Sequence, residues 1–216
     1  MKSSDEIQSD LEALEASHYY SEDFEWLSSV RAYRERLAVP ERALLERVVL
    51  TRLLRNGSMT DILLCSIVPA PEAASVLAAK LDRESVPSQL TRALLSALQH
   101  YSGDDVFRAV ARFVDSDQES EALRALARIH FHRALPFLAR AIQKPHQGDL
   151  ILHLLHERVK TIGLPGLVLE LRVFAAGWHE PDLLERIRRA LCGKAEPYNP
   201  FTADELRQLA AGLANP

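Results

Sequence analysis

Five copies of the tripeptide Arg-Ala-Leu begin at Arg42, Arg92, Arg124, Arg133 and Arg189, each inside a segment whose apolar residues recur at helical spacing. The clearest unit runs from Ser116 to Lys144. In its first half Leu123, Leu126, Ala127 and His130 share a helical face, and in its second half Leu135, Leu138 and Ile142 do so. Arg133, Arg140 and Lys144 are left for solvent. A helix pair this short has two apolar faces and needs a neighbour on each side to bury both.

The neighbours are written in the same chain. RALLSALQH from Arg92 aligns with RALARIHFH from Arg124, VFRAVARFV from Val106 with ALPFLARAI from Ala134, and the latter with GLPGLVLEL from Gly163. Offsets of this size signal stacked helical repeats rather than a single bundle.

Punctuation supports that parsing. Pro71, Pro87, Pro136, Pro165 and Pro181 each fall near the first turn of an expected helix, where a missing amide costs little. The expected repeat helices are 60–68, 71–82, 87–101, 104–115, 118–131, 134–143, 148–162, 165–176 and 181–192. Before them, helices are expected at 4–17, 22–37 and 41–56, the last started by Pro40 and ended by Asn56-Gly57. Ser116 and Glu119 have capping-box spacing, as do Thr202 and Glu205, which open a last helix running to about Leu213.

The segment RALPFLARAI, preceded by a capped Ala/Leu-rich helix, resembles the second helix of a HEAT repeat, closest to the short phycobilisome-lyase-like variety. The resemblance runs from about Thr60 to Leu191. It implies an all-α, right-handed α-α superhelix with additional capping helices at both termini. The expected division is an N-terminal helical cap at 1–57, HEAT-like repeats at 58–193, and a linker with a C-terminal capping helix at 194–216.

Composition agrees with a folded helical chain. Hydrophobic residues make up 47% and charged residues 26%, and no apolar run approaches the ~18 residues a membrane span needs. MKSSDEIQSD lacks a signal-peptide core, so the cytoplasm is the expected location and no membrane is expected as a partner. Cys65 and Cys192 lie far apart in apolar segments and read as buried free thiols. Residues 1–27 carry one lysine against eight carboxylates, whereas 28–56 carry seven arginines against three glutamates. The two blocks are expected to attract each other. The aromatics of His18–Leu27 are expected to help seal the end of the repeat stack.

Three constellations are candidates for recognition or chemistry. Arg108 and Arg112 lie one turn apart and Arg140 occupies the repeat position of Arg112. The HEAT resemblance would set these on a concave face able to take acidic ligands or phosphates. The stripe ends at the next repeat, where Leu169 takes the position beside Glu170. Some HEAT-like proteins are alkyl-purine DNA glycosylases, but no residue of that site can be matched here, and a net charge of −4 disfavours nucleic acid as the partner.

His153, His156 and Glu157 form HxxHE on one helix, and His179-Glu180 opens another. Such pairs resemble the di-iron site of deoxyhypusine hydroxylase, and Gly163 after His156-Glu157 fits that spacing. The resembled site uses four pairs and this chain has two, so ordinary surface or core histidines are the favoured reading. Trp178, between two repeats, fills a seam or anchors an interface. No GxSxG, Walker loop or Cys/His nucleophile pattern occurs. The sequence therefore points to a non-catalytic scaffold or adaptor that binds a protein partner through the concave face, without a cofactor. A metal-dependent enzyme and an arginine-stripe nucleic-acid binder are the alternatives.

Overall fold

The computed structural model describes residues 1–17, 25–83, 88–142, 144, 147–178, 182–192 and 199–214. Among them every regular element is helical: α1 Ser4–Ser17, α2 Glu25–Arg36, α3 Val39–Arg55, α4 Met59–Ile67, α5 Ala73–Leu81, α6 Ser88–Leu98, α7 Asp104–Ala111, α8 Glu119–Ala141, α9 Gly148–Trp178, α10 Asp182–Cys192 and α11 Ala203–Ala214. The fold is all-α. No helix among the described residues is long and apolar enough to cross a membrane.

Two of these helices are pairs joined at a break. In α8 His130 takes an extended conformation, φ −161° and ψ 90°, separating 119–129 from 131–141. Its Nδ1 accepts from the Arg133 amide at 3.5 Å, so the imidazole sits over the start of the second half. That half begins three residues earlier than expected, which puts Pro136 in its second turn. His130 is exposed, unlike Leu123 and Leu126, because the backbone leaves the helix there. In α9 the break is Gly163, φ 75° and ψ 165°, a region open to glycine alone, and Pro165 follows in the first turn of 164–178 as expected.

The chain forms two compact units, Met1–Ala125 and Leu126–Pro216. In the first, α2 packs on α4 and α4 on α6, while α3 packs on α5 and α5 on α7. Two columns of helices result. Their shared core is aliphatic, with Leu45, Leu53, Ile62, Leu64, Leu77, Leu94, Leu95 and Leu98 at 1% exposure or less. Each such burial contributes about 1.5–3 kcal/mol before chain entropy is counted. Helix α1 covers α2 and α3, burying Ile7 and Leu11.

The attraction expected between the acidic and basic blocks takes specific form. Arg52 of α3 reaches Glu15 of α1 (Nη1 to Oε1, 2.7 Å) and Asp61 of α4 (Nε to Oδ1, 3.0 Å). Asp61 is also half of a reciprocal capping box with Ser58, accepting from the Ser58 amide at 3.0 Å and hydroxyl at 2.6 Å. In the middle of α1, Asp10 accepts from Lys2 and from the Tyr33 hydroxyl at 2.7 Å. Glu41 accepts the amides of Lys2 and Ala38 at 2.8 and 3.0 Å. Of the expected aromatic cluster, residues 18–24 lie outside the described residues, and Trp26 and Leu27 are half-buried.

These contacts set a pH dependence. The Lys2 and Tyr33 hydrogen bonds hold Asp10 below the ordinary carboxylate range, and the Lys2 and Ala38 amides do the same for Glu41. A carboxyl whose folded pKa is depressed stabilises the fold above its unfolded pKa, near 4, and that contribution is lost as pH falls through the folded value. Stability in urea is therefore expected to drop below about pH 4. Asp10→Asn should be less stable than wild type at pH 7 and show a shallower acid decline; equal slopes would contradict the assignment.

In the second unit, Leu135, Leu138, Ile151, Leu155, Leu171, Phe174 and Ile187 face one small apolar gap between 131–141, both halves of α9, and α10. As expected, the Thr202–Glu205 box opens a final helix: Thr202 N donates to Glu205 at 2.8 Å and Glu205 N to Thr202 Oγ1 at 3.3 Å. That helix, α11, packs on α9 and α10. Gly212 makes the close approach possible, since a Cβ there would stand 2.9 Å from a Val168 methyl. Ser116 serves differently from the expected box. Its hydroxyl accepts from the Gln118 amide at 3.1 Å and donates to the Phe113 carbonyl at 2.8 Å.

Candidate functional site

Arg108 and Arg112 line a groove of about 450 Å³ between α5 and α7. Its floor is small, with Ser75, Ala78, Ala79 and Ala109, so the two helices approach closely and the charges form its rim. α7 ends at Ala111, earlier than expected, which makes Arg112 its C-cap residue. Arg112 Nη1 donates to Asp82 at 2.6 Å and Arg108 Nη2 to Asp105 at 2.5 Å. Exposed pairs of this kind contribute little to stability. They do cancel the field, so the groove presents alternating charge rather than a positive surface, and a phosphate has to compete with both carboxylates.

Arg140 belongs to the other unit, where its guanidinium lies over the Phe137 ring at 5.2 Å. Arginine at these positions is thus held locally in each case.

Of the histidine motif only Glu157 lines a cleft of about 370 Å³ in the second unit, between 127–131 and the first half of α9, beside Ala127, Phe131 and Leu154. Glu157 accepts from Arg128 at 3.3 Å, and His153 Nε2 lies 3.6 Å from the same carboxylate one turn away. His156 points elsewhere. Its ring meets Phe201 edge-on at 5.1 Å, and burial, the largest cause, lowers its pKa. The motif is divided between an ion-pair cluster and an aromatic contact. Among the described residues no group of three or more His, Cys, Asp and Glu is placed to hold a metal ion. His179 and Glu180 lie outside the described residues, as do the side chains of Trp178 and Cys192.

Nearby, Arg158 grips Glu170 through both carboxylate oxygens while stacking on Phe131 at 5.2 Å. This ties the two halves of α9 together across the Gly163 break. Cys65 is buried as expected, and burial pushes its thiol up to about 12, which leaves it a poor nucleophile.

Sequence reading missed the exposed apolar surfaces. Leu169 is 63% exposed and Val173 56%, one turn apart on 164–178, with exposed Pro165 and Ala176 continuing the line. Glu170 and Arg172 flank them but are engaged, by Arg158 and by the Gly212 carbonyl. A second surface lies on α3, where Val39 is 78% and Leu54 63% exposed. A signal was present in the sequence: α3 carries apolar residues around more of its circumference than the ~100° stripe one buried face requires.

Compared with known proteins, the chain matches no family model, no curated protein and no solved structure.

Proposed function

We propose that the chain is a HEAT-like helical-repeat module without catalytic activity of its own, working as a scaffold or adaptor that binds a protein partner. The observation that carries this reading is the uncovered apolar line of Leu169 and Val173. Leucine and valine one turn apart, exposed by more than half and flanked by charges already used, gain from burial against a partner and offer nothing to a polar small molecule. The two columns of packed helices in the first unit agree with a repeat architecture. Arg108, Arg112 and Glu157 are each engaged by an opposite charge, which favours protein surfaces over phosphate or metal ligands.

The test is affinity purification of the tagged chain beside L169K/V173K and R108A/R112A, each checked for helicity. The wild type and the arginine variant are expected to retain a common partner at near-stoichiometric yield, and the lysine variant to lose it by tenfold or more. Retention by L169K/V173K, or reproducible turnover of a substrate by the purified chain, overturns the reading.

A further inference from the structure

The exposed side of α3 differs from the Leu169–Val173 line because charge identifies what it fits. At 100° per residue, Val39, Ala43, Leu50 and Leu54 fall within about 60° of one another along the helix, and at 1.5 Å per residue they extend over about 22 Å. Val39 and Leu54 are 78% and 63% exposed, Ala43 is exposed and Leu50 half-buried. Beside this line, on the edge turned toward α1, stand Arg47, Thr51 and Arg55, all exposed.

Both arginines line the groove of about 640 Å³ between α1 and α3, yet neither forms an ion pair among the described residues. Asp5 and Glu12 on the α1 wall of that groove form no ion pair with them, Glu12 instead accepting from Gln8 Nε2 at 2.5 Å, so both guanidinium groups stay open to a ligand arriving over the apolar line. Arg52, one turn before the helix end, shows the contrast, since it takes up Glu15 and Asp61. On the other edge stand half-buried Glu46 and Arg42, the latter held by the Leu37 and Glu35 carbonyls, so the unengaged positive charge is on the Arg47–Arg55 edge, and the line complements an amphipathic helix whose apolar face is bordered by carboxylates on that side. Arg47 and Arg55 are eight residues and about 12 Å apart, two turns of helix, so matching carboxylates stand seven or eight residues apart on the partner.

We infer that α3 is a docking surface for an acidic amphipathic helix of a partner protein, seated on Val39, Ala43, Leu50 and Leu54 with its carboxylates on Arg47 and Arg55. This inference extends the protein-binding reading, but its surface lies in the first unit, apart from Leu169 and Val173, so either can fail while the other stands. Partner helices of about 16 residues match the length of the line. Binding through two solvent-exposed arginines weakens as salt rises.

The experiment uses the full chain and a fluorescent 18-residue helical peptide with leucine and alanine at i, i+4, i+7 and i+11 and glutamates eight residues apart along one edge. Fluorescence anisotropy at low salt is expected to give saturable binding. L54K should abolish it, R47E/R55E should weaken it by about tenfold or more, and a peptide with lysine in place of glutamate should bind R47E/R55E better than wild type. L169K/V173K should bind the acidic peptide as wild type does, which separates this surface from the other. Circular dichroism establishes that each variant is folded. No saturable binding by wild type, equal binding of acidic and basic peptides, or binding unchanged in R47E/R55E overturns the proposal. So does sedimentation with phosphatidylserine vesicles that L54K abolishes while the peptide does not bind, an outcome that assigns the surface to a membrane instead.

Discussion

Replacing Arg52 with methionine is expected to destabilise the protein by about 3 kcal/mol at pH 7. The reason lies with what remains. Asp61 is 2% exposed in its side chain and Glu15 23%, and Arg52 is the cation that both face. Methionine fills much of the volume but leaves the Asp61 carboxylate buried with only its Ser58 contacts. Removing one partner of a buried pair costs about 3–5 kcal/mol, and the partial exposure of Glu15 sets the lower end here. Urea unfolding of wild type and R52M at pH 7 measures the loss. A loss under about 1 kcal/mol contradicts this role.

Gly163→Ala is the second large effect, about 2 kcal/mol. Its cause is purely conformational, because a Cβ at Gly163 meets nothing closer than Pro165 Cδ at 3.8 Å, while φ 75° with ψ 165° is a region L-residues avoid. Steric relief elsewhere cannot rescue it. Gly177→Ala is the control: a Cβ there meets nothing within 4 Å and the site lies inside α9, so alanine should be neutral or slightly stabilising. Thermal unfolding of the two variants should separate them clearly, and equal midpoints would remove the strain argument.

The helices were legible because their punctuation is local. Gly57, Pro165 and the Thr202–Glu205 box act within one turn of where they stand, and the observed ends follow them. The His130 break was not legible as a start for the second half, since histidine carries no strong capping signal. The polar network was legible only as net charge. That Arg52 chooses Glu15 and Asp61, or that Arg112 takes Asp82 from thirty residues away, depends on which helices lie side by side. The same holds for the HxxHE motif, whose members diverge because His156 meets Phe201 of the C-terminal segment. The exposed leucines were hidden for the opposite reason. Leu54 and Leu169 fit helical periodicity as well as any core residue, and only the packing of neighbours reveals that they stay more than half exposed.

Hydrogen exchange on the complex recovered by affinity purification locates a partner without presuming its identity. Amide exchange is expected to slow along 164–178, with α3 protected as well if the partner brings an acidic helix, and to change little in α5 or α7. Protection confined to α5, α7 and the 148–162 half of α9, with 164–178 and α3 exchanging as in the free chain, would rule out binding through the exposed apolar surfaces.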